Sequence, residues 1–217
     1  MSTASLHHDF RPGLLSSTRK HEATAFTLVE LLAVIGIIGV LAALMIPTIA
    51  AVRASADRVR ARVQFEQWTL ACAQFRQEYG YLPAIGSGNS LKTAADTQAF
   101  VRMLSGRNLD GSDVAAIPDL MGNTKRILFH AFADAEIQNG LLTDAFGNTE
   151  FGVLWDVDGD GLIKPGVDGA VASVQSSGGA TFTPSSTDLP ASGVRAGVIF
   201  YSAGRGAVDS DLILSWK

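Results

Sequence analysis

The sequence predicts an α+β fold in which one long N-terminal helix packs on a small antiparallel β-sheet. Leu31–Val52 contains no charged residue, and the apolar pattern behind it repeats at spacings of three and four as far as Tyr79. The rest of the chain sets short apolar runs between Gly, Pro, Asn and Asp. A long helix followed by several turn-bounded strands is the element order of an α+β unit.

The elements follow in chain order. Residues 1–25 form a basic leader with Arg11, Arg19 and Lys20 and no apolar core of its own. A secretory signal carries its cleavage site after the apolar region, whereas here the candidate site precedes it. At about 1.5 Å per residue the charge-free run is long enough to cross a hydrocarbon core of about 30 Å, so residues 26–52 are read as a transmembrane helix. Arg53, Arg58, Arg60 and Arg62 on the far side balance the leader's basic residues, and loop charge leaves the orientation open.

Residues 53–80 continue the helix in amphipathic form, with Ala61, Phe65, Trp68, Cys72, Phe75 and Tyr79 on one face. The expected role of that stripe is core packing. Pro47 removes a backbone donor, which predicts a kink near Ala43–Pro47 between the two halves. Gly80 fits the left-handed cap position, giving a helix of ~54 residues and ~80 Å over Phe26–Tyr79.

Residues 81–217 form the globular part. Ile85–Ala95 reads as a polar connection, Asp96–Leu104 as a short helix closed by Gly106, and Arg107–Asn123 as loop. Strands are expected at Ile127–Phe132, Phe151–Trp155, Val198–Tyr201 and Leu212–Trp216. Ala172–Ser192, rich in Ser, Thr, Gly and Pro, reads as a mobile surface loop.

The run Ala25-Phe26-Thr27-Leu28-Val29-Glu30-Leu31-Leu32, continued by Ala33-Val34-Ile35-Gly36-Ile37-Ile38, resembles the processing and assembly segment of type IV pilins and type II secretion pseudopilins. The resemblance implies that a membrane-embedded prepilin peptidase cuts Ala25–Phe26 on the cytoplasmic side and that the new amino terminus of Phe26 is methylated. The family has glycine before the cut where this chain has Ala25. It also implies a single-pass bacterial inner-membrane protein whose C-terminal domain is exported. Its partners would be the peptidase, copies of itself, other pilin-like subunits and an inner-membrane assembly platform.

A carboxylate at the centre of a bilayer helix costs roughly 2.5–3.5 kcal/mol on insertion scales, so Glu30 needs compensation. The resemblance implies a pairing with the N-terminal amine of an adjacent subunit; the plain alternative is that Glu30 lies near the interface and snorkels. Asp144-Ala145-Phe146-Gly147-Asn148 and Ser202-Ala203-Gly204 resemble the major pseudopilin branch. There the second motif precedes an Asp-containing loop that holds calcium, which makes Asp209 and Asp211 candidate ligands. Arg205 departs from that pattern.

Other chemistry is sparse. A net charge of −4 offers no general field for nucleic acid, and a single cysteine excludes an internal disulfide. No nucleophile motif, phosphate-cradling loop or zinc-type histidine pair occurs, so no catalytic residue is assigned and a non-enzymatic role is expected. His130 is given no role. Asp156-Val157-Asp158-Gly159-Asp160-Gly161 resembles the first half of an EF-hand loop, which makes Asp156, Asp158 and Asp160 candidate Ca2+ ligands. Position twelve is Val167, with Asp168 one residue beyond. A polar hairpin turn, with Gly159 and Gly161 at positive φ, explains the same residues.

The expected function is therefore a structural subunit of a type II secretion pseudopilus or a type IV pilus-like filament. The alternative is a membrane-anchored exported calcium-binding or adhesive module that does not polymerise.

Overall fold

The computed structural model describes residues 27–82, 89–114 and 122–217. The leader, Ala25 and Phe26 lie outside the described residues, as do residues 85–88 of the expected connection and 115–121 of the expected loop. The chain divides into two compact units, Met1–Pro47 and Thr48–Lys217.

Helix α1 runs from Leu28 to Tyr79, which matches the predicted α+β order of one long helix ahead of a small antiparallel sheet. Pro47, the expected kink, is interior to this helix and is the last residue of the first unit. Among the described residues of the first unit the large apolar side chains, Leu31, Ile35, Ile38 and Leu41 included, are exposed. By length and composition the helix is able to cross a membrane.

The second unit is built on an apolar stripe of α1. Ala61, Phe65, Trp68, Cys72 and Phe75 are fully enclosed, and Tyr79 packs at the edge of the same cluster. The helix ends as the sequence predicts: Gly80 takes φ 77° and its N–H donates to Arg76 O at 2.8 Å. Strand β1 (Ser90–Leu91) arises inside the stretch read as a connection. Helix α2 (Ala94–Ser105) then starts on a reciprocal cap, Thr93 Oγ1 accepting from Asp96 N while Asp96 accepts from Thr93 N, and stops at left-handed Gly106.

The expected strand at Ile127–Phe132 does not form. Phe129 N–H and His130 N–H both donate to Leu104 O, at 2.8 and 3.0 Å. The segment thus satisfies a terminal carbonyl of α2, a need that competes with strand pairing. After a short 3-10 turn (Asp134–Glu136), strands β2 (Ile137–Gln138) and β3 (Leu141–Leu142) make a hairpin across Asn139-Gly140. Both turn residues have positive φ, the geometry that makes Asn-Gly a hairpin signal.

Strands β4 (Phe151–Trp155), β5 (Leu162–Ile163), β6 (Val174–Gln175), β7 (Thr181–Phe182), β8 (Val194–Arg195), β9 (Val198–Ser202) and β10 (Ile213–Leu214) complete the unit. The main sheet has the order β1-β4-β9-β10, antiparallel throughout, with Val153 opposite Phe200 at its centre. Side chains alternate across it. Phe151, Val153, Trp155, Val198, Phe200 and Ile213 join the aromatic core under α1, while Leu154, Ile199, Tyr201 and Leu214 point into a second core.

That second core corrects the reading of Ala172–Ser192 as a mobile surface loop. The segment contains the β6–β7 hairpin, and Val174, Phe182 and Leu189 are buried against the far face of the sheet. Its Ser/Thr/Gly composition concealed three apolar anchors spaced too widely for a periodic signal. The sheet is consequently covered on both faces, by helices on one and by β5–β8 with their loops on the other.

Candidate functional site: the helix start and an acidic loop

At the head of α1, Glu30 is tied to Thr27. The Thr27 N–H and hydroxyl each donate to Glu30 Oε2 at 2.8 Å, and Thr27 Oγ1 accepts from Glu30 N at 3.2 Å. This is a capping box: the carboxylate satisfies a donor that the first helical turn leaves open and sits at the positive end of the helix dipole. Part of the compensation that Glu30 needs thus comes from within its own chain. The signal was present as Thr27-x-x-Glu30 ahead of an apolar run. The candidate cleavage and methylation residues Ala25 and Phe26 fall outside the described residues.

The acidic loop leaves the end of β4. Asp156 is buried and organises the turn, with Oδ1 accepting from Gly159 N at 2.8 Å and Oδ2 from Gly161 N at 3.1 Å. Gly159 and Gly161 have φ of 78° and 81°, as a polar turn requires. Arg76, reaching from the last turn of α1, places its guanidinium 3.7 Å from Asp156.

The sequence predicted Asp156, Asp158 and Asp160 as the ligand set; the structure gathers Asp156, Asp158 and Asp168. One carboxylate oxygen from each of these three lies within 4.8 Å of the others, a grouping that could hold a metal ion. Asp168 is buried and held by N–H donors from Val157 at 2.9 Å and Lys164 at 2.6 Å. Asp160 is drawn off to Lys164 and to Leu162 N. A hydrogen bond and the charge of Lys164 hold its carboxyl below the usual range. The twelve-position count missed Asp168 by one residue, because the loop closes through the Lys164–Asp168 turn rather than through an EF-hand exit helix.

The donor set fits a hard cation. All three groups are carboxylates with lone pairs beyond those the backbone uses, as oxygen-preferring ions require. Lys164 Nζ stands 3.9 Å from Asp158, so an internal cation already offsets part of the charge.

Asp209 and Asp211 are not brought to a metal site. Asp211 pairs with Arg58 at 3.3 Å and accepts from Ala207 N at 3.0 Å and Val208 N at 3.3 Å. No third acidic group joins the two among the described residues. The loop is short enough for Arg58 of α1 to reach it and take the cation's place.

The two motifs flanking the sheet meet directly. Asp144, buried, accepts from Phe146 N, Asn148 N and Asn148 Nδ2, each at 2.9 Å, and from Ser202 Oγ at 2.6 Å. Asn148 donates onward to Gly204 O at 2.7 Å and accepts from Ser177 N at 2.8 Å. Burial pushes the Asp144 carboxyl up even against these four donors. The arrangement is a buried hydrogen-bonded network that ties the Asp144–Asn148 turn to β9 and to Ser177, which is a structural role.

His130 is likewise engaged, its Nε2 3.2 Å from Glu136 Oε2 and its ring edge-on to Phe132. Trp68 Nε1 donates to the other oxygen of Glu136 at 3.1 Å. Burial pushes Glu136 up, but hydrogen bonds from His130, Ala133 N–H and Trp68, with the His130 charge, prevail and hold it below the usual carboxylate range. Cys72 is buried in the aromatic core.

No family model, curated protein or solved structure matches the chain.

Proposed function

We propose that the chain is a structural subunit of a type II secretion pseudopilus or of a type IV pilus-like filament. A prepilin peptidase would cleave it before Phe26, and it would assemble in the membrane with copies of itself and related subunits. The observation that carries this reading is the use of one helix for two purposes. The apolar residues of α1 up to Ile46 are exposed, whereas those from Ala61 to Phe75 on one face are the centre of a folded core. Exposed apolar surface of that extent needs a lipid or protein partner. The Phe26–Ile38 pattern supplies the reason to choose a filament.

In this reading the N-terminal segment lies in the bacterial inner membrane and residues from Arg53 onward are exported. Calcium is the proposed occupant of Asp156, Asp158 and Asp168. An all-oxygen set completed by carbonyls and water suits that ion, and a site without a bidentate glutamate falls in the weak range of extracellular modules, roughly 10⁻⁴–10⁻³ M.

N-terminal sequencing and intact mass of membrane-extracted protein test the assignment. Phe26 as the first residue, with one added methyl, is expected. A mature chain that retains His7 and His8 would overturn it.

A further inference from the structure

The loop between β9 and β10 presents oxygens that are held in place before any cation is considered. Gly204 (φ 57°) brings the end of β9 so near the loop that a Cβ there would stand 2.0 Å from Asp211 O. The 3-10 turn Asp209–Asp211 closes as Asp211 N–H donates to Val208 O at 2.9 Å. Asp211 Oδ2 accepts from Ala207 N and Val208 N, which leaves Oδ1 and the Ser210 carbonyl for α1. Arg58 reaches both: Nη1 donates to Ser210 O and Nη2 to Asp211 Oδ1, each at 3.3 Å. The planar fork of a guanidinium suits two such acceptors side by side. The Asp211 side chain is only 13% exposed, so its charge needs a partner within the protein. Asp209, the other carboxylate of the turn, is exposed and is solvated by water.

Arg76 lies eighteen residues further along α1, which is about five turns, and therefore on the same line of the helix. It meets the acidic loop at the opposite end of the sheet, but less closely. Its guanidinium stands 3.7 Å from Asp156, beyond hydrogen-bond reach, and the Asp156 oxygens accept from Gly159 N and Gly161 N instead. One line of α1 thus supplies a bonded cation to the β9–β10 loop and only a nearby charge to the acidic loop.

We propose that Arg58 is a built-in substitute for a metal ion in residues 204–211, so that this loop closes without calcium although its acidic residues match a calcium-holding pattern. The guanidinium takes the two oxygens that a hard cation would take, a backbone carbonyl and a carboxylate, and it is tethered to α1 rather than drawn from solution. The substitution also makes the loop's closure depend on α1 instead of on the ion content of the compartment. Exchange of metal for arginine is independent of whether the chain enters a filament.

Hydrogen–deuterium exchange of the full-length chain in detergent micelles, followed by mass spectrometry, reads residues 203–214 separately from residues 156–168. In the unsubstituted chain, residues 203–214 are expected to exchange equally in millimolar calcium and in chelator. Arg58→Met keeps a long stem without the charge; in chelator it should exchange about tenfold faster there, because the loop opens locally. Millimolar calcium should restore the original rate in that variant, as Asp209, Asp211 and the Ser210 carbonyl take the ion. Arg58→Lys keeps the charge, and calcium should give its loop no protection. Calcium protection of residues 203–214 in the unsubstituted chain or in Arg58→Lys would overturn the proposal. So would Arg58→Met that exchanges no faster, or that exchanges faster and is not rescued by calcium. If Arg58→Met loses protection of β4 and β9 as well, the unsubstituted chain and Arg58→Lys decide: no calcium effect at residues 203–214 in either supports the proposal, and an effect in either overturns it. A calcium effect confined to residues 156–168 is the one expected of the acidic loop, and its absence overturns calcium at Asp156, Asp158 and Asp168 alone.

Discussion

The ring of Tyr201 lies on Gly152, its cross-strand partner, so closely that a Cβ on Gly152 would stand 1.9 Å from Tyr201 Cζ. The tyrosine crosses the position and donates its hydroxyl hydrogen bond to Ala172 O at 2.7 Å, which ties the covering segment to the sheet. Glycine is needed there for space.

Gly152→Ala is therefore expected to destabilise the second unit by about 1–3 kcal/mol, the usual range for overpacking. Tyr201→Phe removes only the hydroxyl and should cost about 1 kcal/mol. The double variant Gly152→Ala/Tyr201→Ala should recover part of the first loss, because the clash is relieved. Thermal unfolding of the three variants checks the order, and equal losses for Gly152→Ala with and without the ring would contradict it.

Glu30 has two candidate duties that substitution separates. The amide introduced by Glu30→Gln still accepts the Thr27 hydrogen bonds but carries no charge, whereas Glu30→Ala loses both functions. If a neighbour's amine is the partner, Glu30→Gln inserts and is processed yet fails to assemble. If the cap suffices, Glu30→Gln assembles and only Glu30→Ala fails, with a helix-start loss of about 1 kcal/mol. Sedimentable filament yield, measured beside the N-terminal sequence, distinguishes them.

The acidic loop predicts which aspartates respond to calcium. At tenfold excess over its dissociation constant the ion should stabilise the folded unit by about 1.4 kcal/mol. Asp168→Asn and Asp158→Asn should abolish the rise in melting temperature, while Asp160→Asn should keep it. Calorimetry with millimolar calcium and then with chelator gives the answer. Loss in Asp160→Asn but not in Asp168→Asn would reverse the ligand assignment.

Glu136 and Asp144 respond to acid with opposite signs. Glu136 is held below its ordinary range, so its contribution is complete above the unfolded value of about 4.3 and is lost as pH falls through the lower folded value. Asp144 is raised, so the stability linked to its proton is present below about 3.9 and is lost as pH climbs through its folded value. Glu136→Gln should consequently flatten the acid limb of a pH–stability curve followed by the emission of Trp68, whose indole bonds Glu136. An acid limb unchanged in this variant would show that the carboxylate contributes nothing to acid unfolding.

Legibility from sequence followed the strength of local signals. The helix from Leu28 to Tyr79, its cap at Gly80, and strands β4 and β9 rest on long periodicities or on apolar runs between turn residues, and these were readable. Asn139-Gly140 and Thr27-x-x-Glu30 are equally local signals of a hairpin turn and a helix start. Ile127–Phe132 misled because its composition suits a strand while its N–H groups are claimed by Leu104. Asp168 joined the acidic cluster through a turn whose closure depends on Lys164, and Val174, Phe182 and Leu189 found a core only because the far face of the sheet was open. In these last cases the deciding partner is distant in the chain, and no periodicity announces it.

The β4–β9 pairing and the Asn148–Gly204 bond join positions separated by roughly fifty residues, and β10 adds a strand from near the described end of the chain. Contacts of such long sequence separation close late and slowly. A chain delivered from its N-terminus would therefore hold Phe65, Trp68 and Phe75 without their sheet until almost all of it had emerged. During that interval the aromatic face of α1 is sticky, and anything that delays the last strands lengthens its exposure. Chaperone dependence and aggregation of chains truncated before β9 follow from the connectivity itself, independently of how stable the finished unit is.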